Sequence, residues 1–181
     1  LGIIIDGNLY YGKSGFSGEF GHFCMFENEV LCHCGKKGCL ETEASGSAFH
    51  RILIERYREG SNTILAGKLD SGEEISLGDL LEAVRKEDVL CIDILEKMGV
   101  NLGKGIAGLM NIFNPELVIL GGTLSLAGEY ISLPVKSAIR KYSLNLVNQD
   151  TEIKISKLGE RAGAFGACLL SRSKLLGMIH Y

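Results

Sequence analysis

The chain has 181 residues, 46% of them apolar, and a net charge of −3. That is enough apolar mass for a sizeable core without disulfides. The acidic balance argues against a surface in this segment that grips a phosphate backbone, which needs clustered Lys and Arg. It leaves room for a DNA-binding element elsewhere in a longer protein. The chain opens Leu1-Gly2-Ile3-Ile4-Ile5, with no initiator Met and a strand already under way, so a fragment of a longer chain is expected. The opening run is too short for a signal peptide or membrane span, and no run elsewhere reaches about 18 apolar residues. A soluble, cytoplasmic protein without a membrane partner is the expectation.

Residues 1–5 read as a strand, Asp6-Gly7-Asn8 as a turn and Leu9-Tyr10-Tyr11 as the returning strand of a β-hairpin. Gly12 to Gly18 is a flexible Gly/Ser connection, and Phe20 to Phe26 has strand character. Residues 27–39 form a loop rich in Cys and Gly. A helical pattern starts at Leu40 and runs towards Tyr57. Residues 59–75 are polar and Gly-dotted and read as a loop or a short irregular excursion. Ser76 suits the cap of a helix over 77–86.

The longest helical stretch covers 88–113, with apolar residues at Leu95, Met98, Leu102, Ile106, Leu109, Met110 and Phe113. Gly99, Gly103, Gly105 and Gly108 interrupt it. Each costs about 1 kcal/mol against Ala in a helix interior, so their number implies close backbone approach to another element. Asn114-Pro115 stops the helix. Leu117 to Leu120 is all apolar, as for a strand buried on both faces, and ends in Gly121-Gly122. Ser132 and Pro134 suit the start of another helix running to about Tyr142. Residues 152–155 alternate as a late strand, and residues 162–176 form a last helix with a small-residue face. The order specifies an α/β domain with a mixed sheet and flanking helices.

Of six cysteines, Cys32, Cys34 and Cys39 crowd together while Cys24, Cys91 and Cys168 are scattered. With no secretory signal, the crowded three point to metal rather than to a disulfide framework. Cys91 and Cys168 lie in apolar helical patterns and read as buried thiols. His22, Cys32, Cys34 and Cys39 supply one imidazole and three thiolates, the donor set of a closed, tetrahedral, structural zinc site. Gly35 and Gly38 let so short a loop double back. His33 and Cys24 are substitutes for one ligand; His33 is expected to point away, and Cys24 to be a core residue. Glu19 lies three residues before His22 and Glu41 two after Cys39. Fixed carboxylates accept hydrogen bonds from hydroxyls, and a metal-bound imidazole has a second nitrogen for another partner. Together they could read the hydroxyl pattern of a sugar; on spacing alone, two surface glutamates are an equal reading.

Gly18-Glu19-Phe20-Gly21-His22, followed by Cys32-His33-Cys34-Gly35-Lys36-Lys37-Gly38-Cys39-Leu40-Glu41, resembles the signature of the ROK family of repressors, uncharacterised reading frames and sugar kinases. The resemblance continues through Asn114-Pro115, Leu120-Gly121-Gly122, Leu158-Gly159 and Ala162-Gly163. It covers essentially residues 1–181, as a single C-terminal lobe of a two-lobed, actin-like (ribonuclease H-like) fold. The resemblance implies zinc on His22, Cys32, Cys34 and Cys39, and sugar hydroxyls on Glu19, His22 and Glu41. In the kinases Gly121 and Gly122 would lie against ATP-Mg, a placement that suits a strand end at a sheet's carboxyl edge. For the Gly-Gly pair alone, a plain strand-to-helix turn is the stronger reading. The long helix over 88–113 resembles a family dimer element, so a homo-oligomer is expected, although core packing explains its apolar stripe equally well.

The family's kinases draw their catalytic Asp from the N-terminal lobe, so no residue here takes a catalytic role and this chain alone is not expected to be active. Cys32-His33-Cys34-Gly35, Thr123 where many family kinases carry a third glycine, and the stretch Lys141 to Asn148 resemble the repressor branch more. The favoured expectation is therefore the sugar-sensing lobe of a transcriptional repressor of carbohydrate genes. It would take a sugar or amino sugar and reach DNA only through an upstream domain. The alternative is a glucokinase-like, ATP-dependent hexose kinase, and a third is a zinc-stabilised scaffold without either activity.

Overall fold

One long helix organises the chain. A computed structural model describes residues 1–177 and gives eight α-helices and four β-strands among them. The hairpin β1 (Ile4–Ile5) and β2 (Asn8–Leu9) is followed by α1 (Glu41–Ala44), α2 (Gly46–Arg58), α3 (Ala66–Ser71), α4 (Leu77–Arg85) and α5 (Val89–Phe113). After these come β3 (Leu117–Leu120), α6 (Glu129–Tyr142), α7 (Asn145–Asp150), β4 (Glu152–Ile155) and α8 (Ala162–Leu175).

Helix α5 starts where the buried Asp88 caps it: Oδ1 accepts from the Cys91 N–H at 2.9 Å, while Oδ2 accepts from the Ile64 N–H at 2.7 Å and ties down the incoming loop. It ends as expected at Asn114, in the left-handed region at φ 41°. Its buried face includes Leu95, Met98 and Met110, packed with Phe49 and Leu53 of α2, Leu80 and Val84 of α4, and Val135 and Ile139 of α6. The α5 glycines do bring backbones together. A Cβ on Gly103 would lie 2.6 Å from the Val135 carbonyl oxygen and 2.7 Å from Ala138 Cβ, so α6 rests on the bare backbone of α5.

Several expectations are corrected. The helical pattern over 40–57 splits into α1 and α2, because Ser45 is extended and its hydroxyl accepts from the Ala48 N–H as a new N-cap. The excursion over 59–75 contains α3, stopped by Gly72 at φ 70°. The capping box of Ser76 and Asp79 opens α4 as read. Residues 20–26 are not a strand: Phe20–His22 form a 3-10 turn, and only Cys24 pairs onward, in an antiparallel bridge to Cys39. Helix α6 begins at Glu129, ahead of Ser132, and α7 was not foreseen.

The α/β character stands, but among the described residues the strands do not join in one mixed sheet. The hairpin, turned by Asp6 and Gly7 at φ 51° and 76°, is one two-stranded antiparallel sheet. β3 and β4 are a separate parallel pair with Leu117 opposite Glu152 and Leu120 opposite Ile155. β3 is also not buried on both faces. Val118 and Leu120 pack on the core, while Leu117 and Ile119 are 41% and 61% exposed. An all-apolar strand cannot itself say whether a second layer will cover it. Cys91 is fully buried, but Cys168 is exposed on α8, which has no buried residue.

Candidate functional site

The region between Glu19 and Glu41 folds around four converging donors. His22, Cys32, Cys34 and Cys39 each offer one ligand atom, all within 4.8 Å of one another. His22 arrives on the 3-10 turn, Cys32 and Cys34 on a tight turn closed by the Gly35 N–H to the Cys32 carbonyl, and Cys39 just ahead of α1. Gly38 permits the return: at φ 77°, its missing Cβ would strike the Phe26 carbonyl oxygen at 2.2 Å.

Two of the ligand separations suit a tetrahedral ion. Zn–S bonds of ~2.3 Å and a Zn–N bond of ~2.05 Å set ligand separations of about 3.8 Å for S···S and about 3.6 Å for N···S. Cys34 Sγ and Cys39 Sγ are 3.6 Å apart, and His22 Nδ1 is 3.5 Å from Cys32 Sγ. As thiols the two cysteines differ. The Lys36 backbone N–H holds Cys34 below its ordinary value, whereas burial pushes Cys39 up to about 12. A divalent cation supplies the charge that makes a buried thiolate tolerable. The cluster can therefore hold a metal ion. The substitutes stand aside: Cys24 is exposed, against the expectation of a core residue, and its thiol points to the Lys37 carbonyl at 3.5 Å. His33 is exposed and outside the cluster.

The geometry also brings the sequence-predicted hydroxyl readers together. With His22 Nδ1 turned to the cysteines, Nε2 lies 3.8 Å from Glu19 Oε2. Glu41 opens α1, and its Oε2 occupies the space a side chain at Gly21 would need, 2.7 Å from an ideal Cβ. Gly21 is thus the clearance that lets one carboxylate lie against the turn carrying the other carboxylate and the imidazole. Gly121 and Gly122 lie at the carboxyl end of β3. Gly122 has φ 85°, with nothing within 4 Å of an added Cβ. Its carbonyl accepts from Ser125 Oγ at 2.6 Å in the 3-10 turn Thr123–Ala127.

The ROK family model matches residues 1–174. The chain belongs to the ROK family. Among curated relatives, a glucokinase of Halalkalibacterium halodurans is 35% identical, covering 91% of this chain and 50% of its own length. A xylose repressor of Caldicellulosiruptor bescii is 32% identical, covering 99% of this chain and 45% of its own length. In structure, a ROK glucokinase from Streptomyces griseus in complex with glucose and AMPPNP superposes with a TM-score of 0.82 at 30% identity, covering 95% of this chain and 56% of that one. The chain thus spans about half the length of the curated relatives it matches. Both branches contain proteins similar to this ROK chain. No helix among its described residues is long and apolar enough to cross a membrane.

Sequence reasoning missed three residues beside the cluster: Asn28, Glu43 and Asn101, joined by side-chain hydrogen bonds. Only Asn101, a polar residue in the apolar pattern of α5, carried any signal.

Proposed function

We propose that this chain is the zinc-clamped, sugar-contacting lobe of a ROK sugar kinase that phosphorylates a hexose with ATP-Mg. Glu41 packs against Gly21 on the turn that sets Glu19 beside His22, next to a four-ligand metal cluster, and this carries the reading. In this reading zinc is structural: its four protein ligands leave no open position, and it holds the loop rather than activating substrate. His22 binds the ion through Nδ1 and turns Nε2 to a sugar hydroxyl, while Glu19 and Glu41 accept from others. Gly121 and Gly122 leave the backbone open to a nucleotide at the end of β3. The base towards the sugar hydroxyl would come from the part of the protein that precedes this lobe, so these residues alone would not turn over.

The kinase reading takes precedence over the repressor expectation because the glucokinase of Halalkalibacterium halodurans aligns at 35% identity, against 32% for the xylose repressor. The repressor remains the second reading, favoured by Cys32-His33-Cys34-Gly35 and by Thr123 after the two glycines. There, the sugar would shift a dimer between two arrangements through its different affinity for each. A coupled assay on the intact protein decides. ATP-dependent phosphorylation of D-glucose that vanishes in Glu41→Ala supports the kinase. Sugar binding without turnover, with sugar-dependent DNA binding, transfers the site to the repressor. Undiminished sugar affinity in Glu41→Ala rejects the site itself.

A further inference from the structure

Behind the cluster, a polar network joins both arms of the metal loop to α1 and α5. Asn28 is its centre. Its Oδ1 accepts from two backbone N–H groups, those of Val30 and Gly38, each at 3.3 Å. That pins the outgoing arm of the loop to the returning one and settles the amide's orientation, since only the oxygen can face two donors. Nδ2 then points the other way, to Glu43 Oε1 at 2.6 Å and Thr42 Oγ1 at 3.4 Å. Thr42 in turn donates to the Cys39 carbonyl at 2.8 Å. Glu43 Oε2 accepts from Nδ2 of the buried Asn101 on α5 at 3.5 Å.

Helix α1 is four residues long and cannot hold its own orientation through helical hydrogen bonds. Its first residue is Glu41, and its next two are Thr42 and Glu43, both held by Asn28. We infer that Asn28 and Glu43 are positioning residues that aim the Glu41 carboxylate at the sugar by locking α1 to the metal loop and to Asn101. None of the three ligates the ion or is among the residues assigned to the sugar. The inference rests on the proposed sugar site.

The polarity of the network supplies the test. Asn28→Asp keeps an oxygen for the Val30 and Gly38 N–H groups, so the loop retains its shape. It removes the donor to Glu43 and sets two carboxylates against each other. Adding Glu43→Gln restores a donor and acceptor across the same gap, in reverse. The intact protein is titrated calorimetrically with D-glucose, N-acetyl-D-glucosamine and D-xylose, and zinc content and the thiolate bands of the Co(II)-substituted protein are read alongside. Glu41→Ala is the control. In Asn28→Asp, affinity for the best sugar falls about tenfold with metal content and Co(II) spectrum unchanged, the scale of losing a supporting hydrogen bond behind a ligand-contacting residue. In the double variant it returns to within about threefold of the starting protein, as paired compensation requires.

Normal sugar affinity in Asn28→Asp overturns the inference, as does a double variant no better than the single. Loss of metal together with sugar also overturns it, because the network would then only close the loop. If Asn28→Asp does not fold, the double variant decides by the same criterion. Sugar binding that survives Glu41→Ala, or no binding of any of the three sugars, instead defeats the underlying site assignment and the positioning role with it.

Discussion

The helical half and the strand half of this ROK lobe reach very different degrees of closure. Around α5 the side chains of Phe49, Leu53, Leu80, Leu95, Met98 and Met110 are almost wholly inaccessible. On the strand side, β1 exposes Ile4 and Ile5, β3 exposes Leu117 and Ile119, and α8 exposes Phe165, Leu169 and Leu170. The metal loop lies against the closed half: Phe20 sits where a Cβ on Gly105 of α5 would be, at 2.7 Å. The candidate metal loop is thus backed by the half that completes its own core. The other half carries apolar residues that the described residues leave exposed, as interaction surfaces commonly do.

Metal removal should widen the contrast most. Chelation, or Cys39→Ser, is expected to unfold the loop over 22–39 and abolish sugar binding, while circular dichroism retains the α5 signal. Simultaneous collapse of helicity would mean that the halves are one cooperative unit. Next in size is truncation of the core. Leu95→Ala should cost about 2–5 kcal/mol in urea unfolding, as for other buried leucines. Leu169→Ala on α8 should fall within about 0.5 kcal/mol in the 181-residue chain. Equal losses would erase the distinction between the halves.

Two glycines of α5 sharpen the comparison within one helix. Gly103→Ala should destabilise by about 1–3 kcal/mol through overpacking against α6. Gly108 has nothing within 4 Å of an added Cβ, so Gly108→Ala should stabilise by about 0.5–1 kcal/mol. The smallest effect concerns pH. Lys68 Nζ, 2.7 Å away, and the Ser76 hydroxyl and N–H hold the Asp79 carboxyl well below its ordinary 3.8. A carboxylate lowered by folding stabilises the protein above its unfolded-state value and loses that contribution as pH falls through the folded one. Asp79→Asn should therefore be slightly less stable near neutrality, through loss of the cap and of a partly exposed ion pair. The difference from the parent should shrink as the medium is acidified below the ordinary carboxylate range; a difference that grows on acidification would refute this.

Much of the site was legible because its chemistry is local in sequence. One His and three Cys within eighteen residues, with Gly35 and Gly38 between, admit few readings besides a metal loop. Glu19 and Glu41 were legible only as candidates, since spacing cannot reveal that Gly21 leaves room for the second carboxylate beside the first. Asn28 and Glu43 were not legible. A surface-type amide and acid carry no pattern, and their roles exist only once two loop arms and a short helix meet.

Local propensity and pattern by themselves determined the cap of α4, the stop at Asn114-Pro115, the β-hairpin and the metal donor set, because each depends on residues a few positions apart. Only the tertiary structure decided that the strands form two separate pairs, that β3 keeps one face open and that His22 turns Nδ1 to the metal cluster and Nε2 to Glu19. Those outcomes depend on which surfaces distant elements bring together, and no local pattern encodes that.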